Sequence, residues 1–297
     1  MQLHNKRMRT AFSLIEVVVV IAIMALLAGL LMAAVQRVRM AGVRTRCLDN
    51  LRQIALALHQ YESTRHVLPE GCGGERGQFP FMSWQTRILP FLERNDLWVR
   101  ALDAYAREPD FRVDPPHPIS TVLPIFACES DPRTLEMGTP PANLRVGFTI
   151  YLGVLGTNLF QNNGVLFERS QIRLSDISDG TSNTLMVGER PPSADQIFGW
   201  WYAGLGQDKS GSLDMTLGVR ERNVGPGAAH CGRGPFHFQA GDFTNNCDIF
   251  HFWSAHTGGA NFAFCDGSVR FLAYSADAVM PALGTRAGGE TVDPTAY

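Results

Sequence analysis

The pattern of apolar residues defines two consecutive helical stretches near the start of the chain. From Val17 to Gln36 an unbroken run carries no formal charge. A helix of that length covers roughly 30 Å, the thickness of bilayer hydrocarbon. Apolar residues then recur at three- and four-residue spacing over residues 48–58, as on one face of an amphipathic helix. We therefore expect one continuous helix from about Ser13 to about Tyr61.

After His66 the chain becomes rich in glycine and proline, and its apolar runs become short. Residues 83–106 have a helical pattern that Pro90 interrupts. Residues 204–235 contain so many glycines that we expect an exposed loop there, on the surface of the head. Runs rich in β-branched and aromatic residues predict four strands, at 147–153, 164–167, 184–188 and 198–203.

The clearest turn signal is Asp266-Gly267, which lies between two alternating runs in "NFAFCDGSVRFL". A type I′ turn requires positive φ at both central positions, and this dipeptide is a strong hairpin signal for that reason. We expect two cross-strand pairs on one buried face, Phe264 with Val269 and Phe262 with Phe271. The fold class that these patterns predict is α+β, with a long N-terminal transmembrane helix continuing into a mostly antiparallel sheet with loop insertions.

Composition and charge narrow the possible functions. The chain has 297 residues, of which 45% are hydrophobic and 18% are charged, so a folded core is expected rather than disorder. The net charge of -2 gives no electrostatic case for nucleic-acid binding. Arginines and lysines flank the apolar run on both sides, and more follow it than precede it. Charge counting alone therefore favours a cytoplasmic carboxyl-terminal side.

Glu16 lies immediately before the uncharged run. An acid at the edge of a membrane-length segment indicates a functional role, because a charge in hydrocarbon is costly and is not kept without a reason. A secretory signal peptide is the first alternative, but its apolar core is shorter, at ~7–15 residues. An uncleaved signal anchor, in which Glu16 reaches the interface, is the second.

The segment "RTAFSLIEVVVVIAIMALLAG" resembles the start of type IV prepilins and type II secretion pseudopilins. The resemblance implies that a prepilin peptidase cuts between Ala11 and Phe12 and that the new amino group of Phe12 is methylated. It also implies that Glu16 pairs with the amino terminus of a neighbouring subunit during assembly. Ala11 stands where the family usually has glycine.

This resemblance implies a domain organisation, a location and partners. The protein is expected to be single-pass in the inner membrane with a periplasmic head, opposite to the orientation that charge counting favours. Its expected partners are the prepilin peptidase and other pilin-like subunits. The implied segments are a cleaved leader (1–11), an anchor helix (12–36), an amphipathic stalk helix (37–66) and a globular head (67–297).

A second resemblance covers most of the chain. In "HTGGANFAFCDGSVRFL", His256 is followed after nine residues by Asp266-Gly267. This spacing is similar to that of the H-x9-D-G domain found behind prepilin-type anchors in a large bacterial family. "NLRQIALALHQYES", "SWQTRILPFLE" and "DISDGTSNTLMVGE" also agree with that family. The resemblance implies no biochemical activity, and Glu129 and Cys265 depart from the usual pattern.

The cysteines support either a disulfide or a metal site. No two form a C-x-x-C pair, which argues against a zinc ribbon. We prefer a disulfide between Cys231 and Cys247, worth about 3 kcal/mol on the loop-closure model. A zinc site from Cys231, Cys247, His251 and His256 is the alternative. The remaining cysteines cannot be paired from sequence: Cys47, Cys72, Cys128 and Cys265.

Each of the other candidate sites has a structural interpretation as well as a functional one. His256 could act as a metal ligand or as a general base. We prefer the structural alternative, in which His256 is half-buried and fixes the loop before the hairpin. The segment "SDISDGTSN" has acids close together but lacks the register of a calcium loop, so a turn is favoured. We expect no cofactor and no enzyme activity. The rivals to a pilin-like subunit are a tethered module that binds a glycan or small ligand, and a metal-dependent enzyme built on His256 and Asp266.

Overall fold

In a computed structural model of the chain, the described residues are 14–113, 116–138, 144–225 and 230–293. The expected cleavage and methylation positions, Ala11 and Phe12, lie outside them. The chain forms two compact units, one ending at Gly42 and the other beginning at Val43.

The predicted N-terminal helix is confirmed as α1, which runs from Leu14 to Arg65. Within the first unit every α1 residue from Leu14 to Ala41 is exposed, including its large apolar side chains. The helix contains an 18-residue window of mean hydropathy 3.0. By length and composition, α1 could cross a membrane.

Within the second unit α1 has the one-sided character that its sequence predicts. The three- and four-residue spacing places one row of side chains in the core, and the row alternates with exposed residues such as Leu56. The buried members are Val43, Cys47, Leu51, Ile54, Ala55, Ala57 and Leu58. This part of the helix is therefore an integral part of the head.

The predicted interruption at Pro90 is also present. Helix α2 covers only Trp84–Arg87, a 3-10 turn follows at Leu89–Leu92, and α3 then covers Asn95–Arg107. Proline at the start of the 3-10 turn offers no amide hydrogen to the preceding helix. The indole of Trp84 is fully buried and donates from Nε1 to the carbonyl of Met215 at 2.7 Å.

The head contains a five-stranded sheet of order β3-β1-β2-β4-β5. Among the strand pairs of the described residues, only β1 and β3 run parallel, so the sheet is mostly antiparallel, as predicted. A short helix α4, Met280–Gly284, follows the last strand. The strands are β1 (Tyr151–Gly156), β2 (Leu185–Glu189), β3 (Thr216–Gly218), β4 (Gly259–Phe264) and β5 (Val269–Ala273).

Two of the four predicted strands are wrong. Residues 164–167 form an irregular segment beside β1, where the amides of Val165 and Leu166 both donate to the carbonyl of Val154. Residues 198–203 contribute only isolated bridges. In both places most apolar side chains are buried without a regular ladder, and a short apolar run does not distinguish such a segment from a strand.

The prediction of an exposed surface loop at 204–235 is wrong in part, because this segment contains β3 and a buried stretch at 211–219. Glycine allows this burial through close backbone approach. A Cβ on Gly211 would lie 2.6 Å from the Cβ of Cys72, and the φ of Gly211 is +76°. Here the glycines indicate tight packing rather than exposure.

The hairpin at Asp266-Gly267 forms, but its predicted register is wrong by one residue. Ala263 pairs with Val269, and Phe262 pairs with Arg270. The reason is the turn, because three residues rather than two separate the bonded pair. The amide of Phe264 donates to the carbonyl of Ser268 at 2.9 Å, so 265–267 form the loop.

The shifted register places the expected partners on opposite faces of the sheet. Phe262, Phe264 and Leu272 are fully buried in one cluster. Ala263 lies in a second cluster, and Val269 packs against that cluster from β5. Both faces of this hairpin are therefore covered.

Candidate functional site

The first candidate feature is Glu16, in the first turn of α1. The amino-terminal end of a helix favours negative charge because its amides lack intrahelical acceptors. The helix that follows is exposed and apolar, so an acid and a membrane-length apolar surface lie on one element. Ala11 and Phe12 lie outside the described residues.

The second feature is His256, which is 7% exposed in the segment before β4. Its backbone amide donates to Ser254 Oγ at 3.0 Å. Its ring Nε2 lies 3.6 Å from Glu189 Oε1 and 3.8 Å from Cys128 Sγ. The structure thus brings the histidine of the H-x9-D-G motif to a buried acid and a cysteine that sequence reasoning left unassigned.

Glu189, at the end of β2, is fully buried. Its carboxylate is oriented by one residue of the neighbouring strand β4. The amide of Asn261 donates to Oε2 at 2.7 Å, and Asn261 Nδ2 donates to Oε1 at 2.9 Å. These two bonds offset part of the cost of removing the carboxylate from water.

A disulfide that the sequence could not assign joins Cys47 of α1 to Cys128. Their Cα atoms are 5.9 Å apart, and both residues are buried. Arg46 and Glu129, the next residues beside them, form an exposed ion pair. No local signal identifies this pairing, because the cysteines are 81 positions apart.

Cys231 and Cys247 form the other disulfide, with Cα atoms 5.2 Å apart. Among the described residues, the alternative zinc ligands are not brought together with this pair. The ring of His251 instead contacts Asp248 Oδ1 at 3.1 Å and the carbonyl of Phe252 at 3.1 Å. His256 lies beside Cys128, so the four-residue zinc alternative is not formed, and the preferred Cys231–Cys247 disulfide is present.

Asp266 and Gly267 occupy the loop between β4 and β5 and have turn roles. Asp266 Oδ1 accepts the amide of Ser268 at 2.8 Å, and the amide of Asp266 donates to the carbonyl of Thr181 at 3.0 Å. The six residues of β4 separate this loop from His256, a distance of roughly 20 Å along a strand. The geometry does not support an enzyme site built on His256 and Asp266 together.

The acidic segment "SDISDGTSN" forms a turn, as predicted. Asp179 accepts the amides of Gly288 and Gly289 at 2.7 and 2.9 Å. Asp176 accepts the amide of Arg173 at 2.9 Å. These carboxylates therefore hold backbone, including the chain after α4.

Two buried ionisable residues that the sequence did not reveal are Arg190 and Asp214. Arg190 is fully buried and donates to the carbonyls of Pro191 and Leu213. Burial lowers its pKa to about 9. Asp214 accepts the amides of Gly199 and Gly206, and burial raises its pKa to about 7. Both side chains hold surrounding loops in place, since these hydrogen bonds all go to backbone groups.

Comparison with known proteins gives two family matches. Residues 6–32 match the family described as "Prokaryotic N-terminal methylation motif". Residues 36–279 match the family described as "Protein of unknown function (DUF1559)". No curated protein and no solved structure matches the chain. Because the second match covers most of the sequence, the chain belongs to the DUF1559 family, and it carries a prepilin-type methylation motif at its amino end.

Proposed function

We propose that this protein is a membrane-anchored, pilin-like structural subunit that a prepilin peptidase processes and that assembles through α1 in a type II secretion or type IV pilus-like system. The observation that carries the proposal is the coincidence of two features. The methylation motif at 6–32 overlaps a helix whose side chains are exposed and apolar from Leu14 to Ala41, apart from a few polar positions. Such a helix needs a bilayer or other helices to cover it.

The assembly step in this proposal is electrostatic. Cleavage between Ala11 and Phe12 creates an α-amino group that the precursor lacks, and methylation follows on Phe12. Glu16 then pairs with the amino group of a neighbouring subunit. A carboxylate in a low-dielectric bundle stays ionised only with such a partner, so processing permits assembly.

The disulfides support a head outside the cytoplasm. Disulfides persist in oxidising compartments and are rare in the cytosol. The unit that begins at Val43 contains both of them, Cys47–Cys128 and Cys231–Cys247. We therefore infer a periplasmic head and an amino terminus on the cytoplasmic side, where a prepilin peptidase would act.

We infer a structural rather than a catalytic role for the head. The two ends of the H-x9-D-G motif serve separate places in the fold, His256 beside a disulfide and Asp266-Gly267 in a turn. The family description assigns no activity. The motif is consistent with residues that hold the sheet, α1 and the disulfide together.

The intact mass of the protein extracted from membranes tests the proposal. Loss of residues 1–11 with the gain of one methyl group is the expected result. A full-length mass would contradict the proposal, and so would a cut after the apolar run near Gln36, which indicates a signal peptidase. Ala11→Lys should keep the chain full-length, whereas Ala11→Gly is the matched control and should be processed at least as completely.

A further inference from the structure

The Cys47–Cys128 disulfide lies in a cluster of potential metal ligands. The two sulfur atoms and a ring nitrogen of His256 all lie within 4.8 Å of one another, and all three residues are buried. Glu189 adds a carboxylate oxygen 3.6 Å from His256 Nε2. The four side chains come from α1, from the segment at Cys128, from β2 and from the segment before β4.

A disulfide alone does not require an imidazole and a carboxylate beside it. Burying these groups costs free energy unless they have good partners. The contact of His256 Nε2 with Glu189 Oε1, at 3.6 Å, exceeds the 2.7–3.2 Å of ordinary N–H···O hydrogen bonds, and its contact with Cys128 Sγ, at 3.8 Å, is a weak hydrogen bond to sulfur. His256 and Glu189 therefore meet in an arrangement that their mutual hydrogen bonding does not explain.

A small cavity lies beside this cluster. It has a volume of about 10 Å³, and the residues around it include Cys128, Asp131, Glu189 and His256. A volume of that order holds a single small particle such as a water molecule or a metal ion. The cluster itself offers sulfur, imidazole and carboxylate, which are the ligand types that Zn²⁺ prefers.

We propose that the reduced protein binds one Zn²⁺ at Cys47, Cys128, His256 and Glu189, in a four-coordinate site that replaces the disulfide. A dithiol reduces the disulfide by giving two electrons and two protons to the cysteine sulfurs, and it becomes a disulfide itself. Zinc then displaces both thiol protons. With metal–ligand distances of about 2.0–2.3 Å, a tetrahedral site places its two sulfurs about 3.8 Å apart. The reduced sulfurs therefore separate, while the imidazole and the carboxylate move inward toward the metal.

Asn261 orients the carboxylate ligand of this site, since its amide and its side chain already donate hydrogen bonds to Glu189. The consequence is that α1 stays tied to the Cys128 segment in both redox states. In the oxidised protein the tie is covalent, and in the reduced protein it is the metal.

The test uses the full chain in detergent, with Cys231 and Cys247 both replaced by serine. This background removes the second group of potential ligands, His230, Cys231 and Cys247. A phosphine reduces the remaining disulfide with water, becomes its oxide, and is removed. Co²⁺ is then added as a coloured substitute for Zn²⁺.

One Co²⁺ per reduced chain is expected, with thiolate charge-transfer absorption and tetrahedral d–d bands that Zn²⁺ abolishes. The oxidised chain should show none. Cys128→Ser should remove most of the charge-transfer absorption, and Glu189→Gln should weaken binding by ~10–100-fold. His251→Ala is the matched control, because that buried histidine contacts Asp248 instead, and it should leave binding unchanged.

Absence of cobalt bands in the reduced chain would overturn the proposal, and so would equal cobalt binding by the oxidised chain.

Discussion

The imidazole of His59 on α1 covers Gly267 in the loop between β4 and β5. His59 Nε2 lies 3.3 Å from the position that a Cβ on Gly267 would occupy, and the φ of Gly267 is +84°. The glycine of the H-x9-D-G motif therefore meets two requirements, a left-handed backbone and a close neighbour. Both are independent of catalysis.

Gly267→Ala should lower the free energy of unfolding by more than the ~1–2 kcal/mol that a left-handed backbone costs a non-glycine residue. The excess arises because the new methyl group must displace the ring of His59. Denaturant unfolding of the oxidised protein measures the change.

Gly258→Ala is the matched control for this prediction. Its φ is +90°, and nothing lies within 4 Å of its Cβ position. It should show the backbone cost alone. Equal losses for the two variants would mean that the contact with His59 adds nothing, and His59→Ala in the Gly267→Ala background should recover the excess.

Removing the two disulfides should destabilise the protein to different extents. On the loop-closure model, a separation of 81 residues corresponds to about 4.5 kcal/mol and one of 16 to about 3 kcal/mol. The double variant Cys47→Ser/Cys128→Ser should therefore unfold at lower denaturant than Cys231→Ser/Cys247→Ser. Unfolding without reductant or metal provides the comparison, and the reverse order would contradict it.

The two remaining cysteines should not react in the folded protein. Cys72 and Cys265 are buried, and burial raises the pKa of both thiols, so little reactive thiolate forms. A water-soluble alkylating reagent should add to neither until the oxidised protein is unfolded, when intact mass should show two additions. Four or six additions after unfolding would mean that one or both disulfides are absent.

Stability should fall as the pH rises from about 4 to about 7, owing to Asp214. Burial raises the pKa of this carboxyl to about 7, whereas in the unfolded chain it is near 3.9. Between these values the folded protein holds a proton that the unfolded chain has lost, so increasing pH favours unfolding.

Asp214→Asn should reduce the change of the free energy of unfolding with pH. Chemical denaturation at a series of pH values measures this change. Asp242→Asn is the control. Hydrogen bonds from Thr244 lower the pKa of Asp242, so its contribution changes only as the pH falls below about 4. A slope that is the same in the wild type and in Asp214→Asn would show that Asp214 is ionised throughout.

Glu16→Ala should separate processing from assembly. The proposed peptidase site lies before Phe12, so the variant should still lose residues 1–11 and gain a methyl group. It should be largely missing from cross-linked or sedimentable assemblies, because the neighbour's amino group has no carboxylate to meet. Val17→Ala, a change at the adjacent position, should assemble normally. Normal assembly of Glu16→Ala would remove the ion pair from the mechanism.

The sequence predicts the features that depend on local spacing. The three- and four-residue period identifies the buried face of α1, and Pro90 marks a helix interruption. Asp266-Gly267 identifies a turn but not its length, and one extra loop residue places every side chain of β5 on the opposite face from its predicted partner on β4.

Features that depend on tertiary contacts could not be predicted. The Cys47–Cys128 disulfide joins distant parts of the chain, and nothing near His256 in the sequence identifies Glu189 as its neighbour. Strand β3 lies in a glycine-rich segment whose composition is typical of an exposed loop. In each case packing rather than propensity determines the outcome.

The contacts of the final hairpin with α1 set the order in which the head can mature. Arg44 stacks on Phe271 at 3.5 Å, and His59 covers Gly267, yet these partners are made roughly two hundred residues apart. Contacts of such high sequence separation form late, after the intervening chain is available. A chain halted before β5 would leave the flank of α1 at Arg44 and His59 uncovered, so the head can close only when its last hairpin has been made.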